Sequence, residues 1–303
     1  MEKPSILHLF TAAKNASPFD VNMAFDAGFD KIMPYTHVDL TEVAGLTQDA
    51  IFSRSPSGVK REGIFIGGRD IDLAMQMLSV AKAAMFAPFA CSVFADPSGA
   101  FTTAAAMIAK VEAQLKLKFN EDLNGKTLSV FGATGPVGGC AAIIAASCGA
   151  NVQLVAHNSL NKVASKAQSW NSQYQVNLRT VDGTDEAKKM DVLLQSDIVI
   201  CAAAAGVQVV SELQLLAAKQ LQVVADVNAV PPNGIQGLHV TNDGDKIAGT
   251  QIVGVGALAI GQLKYATQHQ LLKQMLAHEV EQPQYLEFMA AFHLARTLLK
   301  NPS

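Results

Sequence analysis

The sequence predicts an α/β protein that combines a Rossmann-type parallel sheet domain with a smaller α/β substrate domain. Apolar segments of strand length alternate with segments of helical periodicity, an order that right-handed crossovers build into parallel sheets. A glycine-rich turn at residues 132–138 separates one such strand from one such helix. Half of the 303 residues are hydrophobic and only 16% are charged, which indicates a buried core rather than disorder.

The smaller domain is predicted to cover residues 1–122. Its expected elements, in order, are a strand at 6–10, a strand at 63–67, a helix at 70–84, a strand at 89–94 and a helix at 102–117. Asp70 stands directly before the apolar positions of the first of these helices, so we expect it to be the N-cap.

The Rossmann domain is predicted to cover residues 123–268. Its expected elements are a strand at 127–131, a helix at 137–148, a strand at 151–156, a helix at 160–173, and strands at 177–181, 197–201, 223–226 and 251–254. Residues 271–300 have a helical pattern. We expect the C-terminal segment 269–303 to rejoin the first domain.

Composition excludes several classes of function. The net charge of −3 comes without a basic stripe, which argues against nucleic-acid binding. No apolar run is long enough for a membrane span, and the N-terminus does not resemble a signal peptide, so a cytoplasmic protein is expected. The four cysteines lack disulfide or metal-ligand spacing, and no metal site is predicted; they are Cys91, Cys140, Cys148 and Cys201.

The glycine-rich turn predicts a phosphate loop for a dinucleotide. In such a loop the first glycine makes the tight turn, the second lets backbone amides approach a diphosphate, and the third lets the helix pack closely on the strand. The helix N-terminus then supplies N–H donors and a positive dipole end. The residues predicted to bind the cofactor here are Gly132, Thr134, Gly135, Pro136, Val137 and Gly138. The alternative is a glycine turn that binds nothing.

The choice between NAD and NADP is predicted from the end of the next strand. An Asp or Glu there would bind the adenosine ribose of NAD, but the segment after Ala156 contains no carboxylate. His157, Asn158 and Ser159 offer hydrogen bonds, and Lys162 offers a positive charge for a 2′-phosphate. The sequence therefore favours NADP over NAD, while use of both stays open. The alternative for Lys162 is an ordinary surface lysine.

Asp226 and Asn228 follow the predicted strand at 223–226, where ligands gather in open α/β sheets. We expect them to contact the cofactor. The alternative is a turn stabilised by Asx hydrogen bonds before Pro231 and Pro232.

Strings spread over most of the chain, in the same order, resemble one family. The matching segments are Phe19-Asp20-Val21, Asp26-Ala27-Gly28, Ile66-Gly67-Gly68-Arg69-Asp70, Asp96-Pro97-Ser98-Gly99, Thr102-Thr103-Ala104-Ala105-Ala106, Gly132 to Gly138, Ala225-Asp226-Val227-Asn228-Ala229-Val230-Pro231-Pro232, and Gly254-Val255-Gly256-Ala257-Leu258-Ala259-Ile260-Gly261 with Leu263-Lys264. The sequence resembles the bacterial NAD(P)-dependent methylene-tetrahydromethanopterin dehydrogenases of methylotrophs, some relatives of which use methylene-tetrahydrofolate. Strictly NADP-dependent members carry an arginine where His157 stands, so the resemblance favours the branch that accepts either cofactor.

The resemblance implies hydride transfer from a methylene-pterin to NADP or NAD, with methanopterin or folate as the pterin, in one-carbon (formaldehyde) oxidation. It also implies a homo-oligomer, by resemblance a trimer. As the catalytic residues that hold the pterin we take Asp20, Thr102 and Lys264. The alternatives are a helix N-cap for Asp20, a cap for Thr102 and a surface helix lysine for Lys264.

Two other functions remain open from the sequence. One is an NADP-dependent dehydrogenase of a small carbonyl or hydroxy compound, which would need a proton donor that the sequence does not identify. The other is a non-catalytic NADP-sensing protein. The match of the N-terminal strings speaks against a sensor, because a sensor has no need of a pterin-binding domain.

Overall fold

Parallel strands connected by helices make up most of the computed structural model, which describes residues 4–276 and 282–300. The strands are β1 (Ile6–Phe10), β2 (Lys31–Tyr35), β3 (Glu62–Ile66), β4 (Ser92–Ala95), β5 (Thr127–Phe131), β6 (Asn151–Ala156), β7 (Arg179–Asp182), β8 (Ile198–Cys201), β9 (Val223–Asp226), β10 (Asp243–Lys246), β11 (Val253–Val255) and β12 (Tyr285–Leu286). The helices are α1 (Pro18–Asp26), α2 (Val43–Phe52), α3 (Pro56–Val59), α4 (Ile71–Ala83), α5 (Ala100–Gln114), α6 (Pro136–Ser147), α7 (Leu160–Tyr174), α8 (Glu186–Leu194), α9 (Glu212–Ala217), α10 (Ala257–Leu276) and α11 (Phe288–Lys300). A 3₁₀ turn, Pro97–Gly99, precedes α5, and a π-helical turn, Leu115–Phe119, continues it.

The chain divides into two units, and the divisions fall within α5, α10 and α11. The first unit contains the described residues of 4–102 and 265–294, and the second contains 103–264 and 295–300. The boundaries predicted from the sequence, after residues 122 and 268, lie further along the chain than these divisions. The assignment of a separate function to each unit stays a prediction.

The first unit is built on a five-stranded parallel sheet in the order β12-β4-β3-β1-β2. Leu7 and Leu9 of the inner strand β1 are buried, as are all five residues of β3. Asp70 accepts hydrogen bonds from the amides of Asp72 and Leu73, which confirms it as the N-cap of α4. All five strands end at the same edge of this sheet, which we call its carboxyl edge.

The second unit is built on a seven-stranded sheet in the order β10-β11-β9-β8-β5-β6-β7, in which β10 is antiparallel and the other pairs are parallel. Successive strands are added on one side of β5 as far as β7 and then on the other side from β8 onward. This reversal next to β5 is the switch point at which ligands bind in doubly wound sheets. The predicted α/β class with a Rossmann-type sheet is confirmed.

Buried elements were predicted better than edge elements. The predicted strands at 6–10, 127–131, 151–156 and 223–226 match the structure, whereas β2, β10 and β12 were not predicted. Each of these three lies at an edge of its sheet, so it lacks the continuous apolar run of a strand buried on both faces. Helices α2, α3, α8 and α9 were also missed, as was the part of α10 before residue 271.

Two predicted boundaries were wrong. Strand β4 begins at Ser92 instead of residue 89, because Phe86 and Phe89 pair with each other in an isolated bridge just before it. The helical prediction for 271–300 was wrong at Tyr285 and Leu286, which pair with β4 as a short strand. Residues 277–281 of that prediction lie outside the described residues.

Candidate functional site

The turn after β5 requires glycine at its first position. Gly132 has a φ of +76°, in the left-handed region that side chains rarely adopt. A Cβ at this position would lie 2.3 Å from the carbonyl oxygen of Ala202, just beyond the end of the neighbouring strand β8. The backbone of the turn therefore passes directly over the switch point.

Close packing of α6 requires glycine at two further positions. A Cβ on Gly138 would lie 2.5 Å from the carbonyl oxygen of Gly132, and a Cβ on Gly139 would lie 2.5 Å from the ring of the buried Trp170. Gly138 is thus the position at which the helix approaches its own preceding turn, the role predicted for the third glycine.

Gly135 is less restricted than the other two glycines of the turn. Its φ is −75°, and the nearest atom to an added Cβ would be the carbonyl oxygen of Gly132 at 3.2 Å. Gly135 is the N-cap of α6, makes no side-chain cap and is followed by Pro136 at the first turn. The contact with the Gly132 carbonyl is tight but closer to tolerable than those at Gly132 and Gly138, and close approach of a ligand to the backbone would be a further reason for glycine.

The start of α6 is open to an anion. The amide of Gly139 donates to the carbonyl of Gly135 at 2.9 Å, so intrahelical bonding begins only there. The amides of Val137 and Gly138 precede that bond, and an α-helix provides no acceptor for amides at these positions. Thr134 is exposed beside them. A helix N-terminus of this kind attracts phosphate through its N–H groups and its dipole.

At the end of β6 the structure places three polar side chains predicted to choose the cofactor. His157, Asn158 and Lys162 are exposed. Ser159 is the N-cap of α7, and its hydroxyl oxygen accepts from the amide of Lys162 at 3.3 Å. The serine oxygen therefore has a structural partner that the sequence did not predict.

The end of the adjacent strand β7 carries the carboxylate that the end of β6 lacks, but this group is already engaged. Asp182 pairs in register with Ala156 and accepts hydrogen bonds from Thr184 and, at 2.9 Å, from Lys188. These hydrogen bonds, those from Thr184 first, lower the pKa of Asp182 to about 2. The negative charge of Asp182 at the end of β7 is therefore balanced by Lys188 of α8.

Asp226 and Asn228 serve the turn that follows β9. The Asp226 carboxylate accepts from the amides of Asn228 at 2.9 Å and Ile235 at 3.1 Å, and burial raises its pKa. The Asn228 side chain accepts from the amide of Val230 and donates to the carbonyl of Pro232. Both side chains are buried in this Asx-type arrangement. Direct contact with the cofactor stays a prediction, and the structure gives the two residues another role.

Asp20 lies in the first turn of α1, at the carboxyl edge of the first sheet. The N-cap of α1 is Ser17, so the interpretation of Asp20 as an N-cap was wrong. Its side chain is buried and accepts a hydrogen bond at Oδ1 from Nε2 of Gln268, at 3.2 Å. Gln268 was not predicted, because it lies 248 residues away in the sequence.

Thr102 lies in the first turn of α5 and is fully buried. Its hydroxyl donates to Oδ2 of Asp96 at 2.6 Å, and Oδ1 of Asp96 accepts from the amides of Phe101 and Thr102. Asp96 is therefore the carboxylate that caps this helix, and Thr102 is held by it. The sequence signal was present, since Asp96-Pro97-Ser98-Gly99 directly precedes the helix.

Lys264 is half-buried on α10 and stands four residues, about one turn, before Gln268 on that helix. Its predicted contact with the substrate stays a prediction. Among the described residues, no group of three or more His, Cys, Asp or Glu side chains could hold a metal ion. No helix in the same residues is both long and apolar enough to cross a membrane.

Comparison with known proteins identifies the family. The chain is 45% identical over 291 residues to the NAD(P)-dependent methylenetetrahydromethanopterin dehydrogenase of Methylorubrum extorquens, which covers 96% of this chain and 97% of the relative. The chain belongs to the methylenetetrahydromethanopterin dehydrogenase family. The family model for the N-terminal part of methylene-tetrahydromethanopterin dehydrogenase matches residues 18–98, the segment that contains Asp20 and Asp96.

Two more distant matches are a second relative and a solved structure. A bifunctional protein, MdtA, of the same organism is 31% identical over 259 residues, 86% of this chain and 88% of the relative. Among solved structures, shikimate 5-dehydrogenase of Listeria monocytogenes, in complex with shikimate and NAD, aligns with a TM-score of 0.53 at 14% identity, over 89% of this chain and 92% of the other. At that identity the likeness shows the fold alone.

Proposed function

We propose that this protein oxidises methylene-tetrahydromethanopterin to methenyl-tetrahydromethanopterin by passing a hydride to NADP or NAD, a step of one-carbon oxidation. The observation that carries the proposal is 45% identity over nearly the full length of a dehydrogenase of that name. The open turn after β5 supports it independently, because the backbone there fits a diphosphate.

The residues of the turn fit a dinucleotide. Gly135 leaves the backbone bare where a side chain would stand between the helix N-terminus and a phosphate. The amides of Val137 and Gly138 would bind the diphosphate, and His157, Asn158 and Lys162 would bind the adenosine ribose and its 2′-substituent. When bound, the cofactor supplies a nicotinamide ring that accepts the hydride.

The proposed hydride step does not require an acid or a base from the protein. Lone pairs on the two pterin nitrogens stabilise the cation that forms at the one-carbon unit, so the hydride step moves no proton. The protein then has to orient the reactants and exclude water. We propose that Asp20 favours the cationic product through its charge, and that Thr102 and Lys264 each contribute to holding the pterin.

A coupled absorbance measurement tests the proposal. Purified protein would be mixed with methylene-tetrahydromethanopterin or methylene-tetrahydrofolate, each with NAD or NADP, and formation of NADH or NADPH followed. We expect turnover with the methanopterin. Turnover with methylene-tetrahydrofolate alone would show that the substrate is the folate and not the methanopterin. No turnover with either pterin would overturn the proposal.

The preference for NADP is tested with Lys162→Ala. Loss of an exposed ammonium beside a 2′-phosphate should weaken NADP about fivefold and leave NAD unchanged. Isothermal titration with both cofactors measures this, and Lys219→Ala, which removes an exposed lysine on another segment of the same unit, is the control. If Lys162→Ala changes the affinities for NAD and NADP equally, Lys162 does not recognise the 2′-phosphate.

Two further properties are proposed: a cytoplasmic location, from the sequence, and a homotrimer, from the family resemblance. Cell fractionation and sedimentation velocity of the purified protein test them, and a monomeric sedimentation coefficient at micromolar concentration would contradict the trimer.

A further inference from the structure

Two neighbouring strands of the second sheet lead into helices through connections of the same length. Ala156 ends β6 and pairs in register with Asp182, which ends β7. In each connection the N-cap stands three residues after the strand end, and a lysine stands three residues after the cap. Each cap accepts a hydrogen bond from the backbone amide of its lysine, which is Lys162 in α7 and Lys188 in α8. The two lysines therefore occupy equivalent positions.

The two connections lie side by side. The amide of Gly183 donates to the carbonyl of Ala156 at 2.9 Å, and a Cβ on Gly183 would lie 2.4 Å from Cγ1 of Val155. The loop after β7 thus packs directly on the end of β6, where the adenosine ribose is proposed to bind. Neighbouring strands are about 4.8 Å apart, well within the Debye length of about 10 Å at 0.1 M salt. A charge at the end of β7 therefore acts on a substituent bound at the end of β6.

The two lysines differ in what surrounds their ammonium groups. Lys162 is exposed, and its side chain makes no hydrogen bond or ion pair with any described residue. Nζ of Lys188 is 2.9 Å from Oδ2 of Asp182 and 3.4 Å from Oδ2 of Asp185. The same ammonium donates to the Thr184 hydroxyl at 3.1 Å. Lys188 is therefore engaged within its own connection, whereas Lys162 is available to a ligand.

All three charged side chains around Lys188 are ionised near pH 7. Hydrogen bonds, those from Thr184 first, lower the pKa of Asp182 to about 2. The hydrogen bond from the amide of Lys188 is the main cause that lowers the pKa of Asp185. Hydrogen bonds to Asp182 and then to Asp185 raise the pKa of Lys188. The group therefore has two negative charges and one positive charge, and its single ammonium is used within it.

We propose that Asp182 determines the cofactor preference of the protein by engaging Lys188, which leaves Lys162 as the cation for a 2′-phosphate. The inference deepens the proposed function and rests on binding of the dinucleotide at the end of β6. If both lysines were available, a 2′-phosphate would be attracted by two ammonium groups, and NADP would be preferred more strongly. With Lys188 engaged, the preference is smaller and NAD is accepted as well.

Asp182→Asn tests the inference, because it removes one negative charge without changing the size of the side chain. The amide oxygen can still accept from Thr184, but Lys188 loses its closest carboxylate. The Kd of NADP should fall about threefold and that of NAD should stay unchanged, a gain of affinity that damage to the fold would not produce. Isothermal titration with both cofactors measures this, and an unchanged Kd of NADP would overturn the inference.

A double variant and a control identify the cause of the gain. Asp182→Asn combined with Lys188→Ala should restore the Kd of NADP of the unmodified protein, since the lysine responsible is absent. A gain that persists in the double variant would overturn the role of Lys188. Glu212→Gln is the matched control, because Glu212 is an exposed carboxylate in the first turn of α9 in the same unit. It should change neither affinity, and an equal gain there would overturn the inference in favour of an effect of net charge.

The failures of the two proposals can be told apart. Turnover of a methylene-pterin by the unmodified protein, together with unchanged Kd values in Asp182→Asn, would overturn the inference and leave the proposed function standing. Tighter binding of NADP by Asp182→Asn without turnover of any pterin by the unmodified protein would overturn the proposed reaction alone. Absence of dinucleotide binding by the unmodified protein would overturn both.

Discussion

Helices that begin beside the two parallel sheets use their first-turn amides in different ways. In the first unit, α4, α5 and α11 each begin with a carboxylate that accepts backbone amides of the first turn, supplied by Asp70, Asp96 and Glu287. In the second unit, α6 begins with Gly135 and has no side-chain cap. A helix N-terminus becomes an anion site only where the chain leaves its amides open.

The contrast lies between individual helix starts and not between whole units, because α1, α2 and α3 of the first unit have no side-chain cap. The acidic caps of α4, α5 and α11 use up amide donors and add negative charge, so these helix starts are poorly suited to phosphate. In the second unit, α7, α8 and α9 are capped by Ser159, Asp185 and Ser211, so among these four helices α6 alone lacks a side-chain cap.

The largest effect is expected when a side chain is forced into the backbone of the open turn. Gly132→Ala would place a Cβ 2.3 Å from Ala202 O at a positive φ, and Gly138→Ala would place one 2.5 Å from Gly132 O. Because backbone cannot yield as a side-chain tip can, each should cost more than about 3 kcal/mol of folding free energy. Urea unfolding measures this. Either variant unfolding at the wild-type midpoint would show that the turn is not built as described.

Gly135→Ala separates binding from folding. The position has a negative φ, and an added Cβ would lie 3.2 Å from Gly132 O, a tight contact that a small backbone shift relieves, so the loss of stability should be about 1–2 kcal/mol and smaller than in Gly132→Ala. Affinity for NADP should nevertheless fall at least about tenfold, because the new methyl group stands where a diphosphate approaches the backbone. Gly45→Ala, at an open position of α2, is the control. Unchanged affinity in Gly135→Ala would show that the diphosphate does not bind at the start of α6.

Asp96→Ala tests a carboxylate cap in the first unit. Asp96 is fully buried and receives three hydrogen bonds, so its loss should cost about 2–3 kcal/mol. Asp70→Ala removes an exposed cap of the same type and should cost only about 1 kcal/mol. Thermal unfolding of both variants gives the comparison. Equal losses would mean that burial adds nothing to the cap of α5.

Local sequence predicted the backbone geometry of the second unit's candidate site better than the side-chain contacts of the first unit's candidate site. The open turn is contiguous, and Gly132, Gly135 and Gly138 each have a reason that can be read from the strand–turn–helix context. The first unit's site depends on pairing between distant segments. Asp20 and Gln268 are joined only by the fold, and no periodicity or composition around Gln268 marks it as different from the exposed Gln270.

The same contrast bears on two site predictions. Asp226 and Asn228 stand at the end of a strand, where ligands usually bind, but their side chains stabilise the local turn. Thr102 lies in the first turn of a helix, but the residue that caps this helix is Asp96, whose carboxylate accepts a hydrogen bond from the Thr102 hydroxyl. Polar residues at strand ends serve either the backbone or a ligand, and only their hydrogen bonds distinguish the two uses.

The smallest predicted effect concerns acid stability and is confined to the first unit. His8 on β1 is largely buried next to the ion pair of Arg54 and Glu62, whose Nε and Oε1 are 2.7 Å apart, and its Nδ1 is 3.2 Å from the Tyr35 hydroxyl. Burial first, and then the charge of Arg54, lower the pKa of His8. The unfolded chain therefore binds a proton at this residue before the folded chain does, so its contribution to stability is complete above about pH 6.5 and is lost as pH falls through the lowered pKa.

His8→Asn should remove that component, so the difference in unfolding free energy between the variant and the unmodified protein should change as pH falls below about 6.5. His37→Asn, at an exposed position with a φ of +55° that asparagine tolerates, is the matched control. Amide hydrogen exchange resolves where the change occurs. We expect it in β1 and β3 and not in β5 or β8, since His8 lies within the first sheet. If both sheets lose protection equally at low pH, in the unmodified protein and in His8→Asn alike, the buried imidazole does not determine the acid sensitivity.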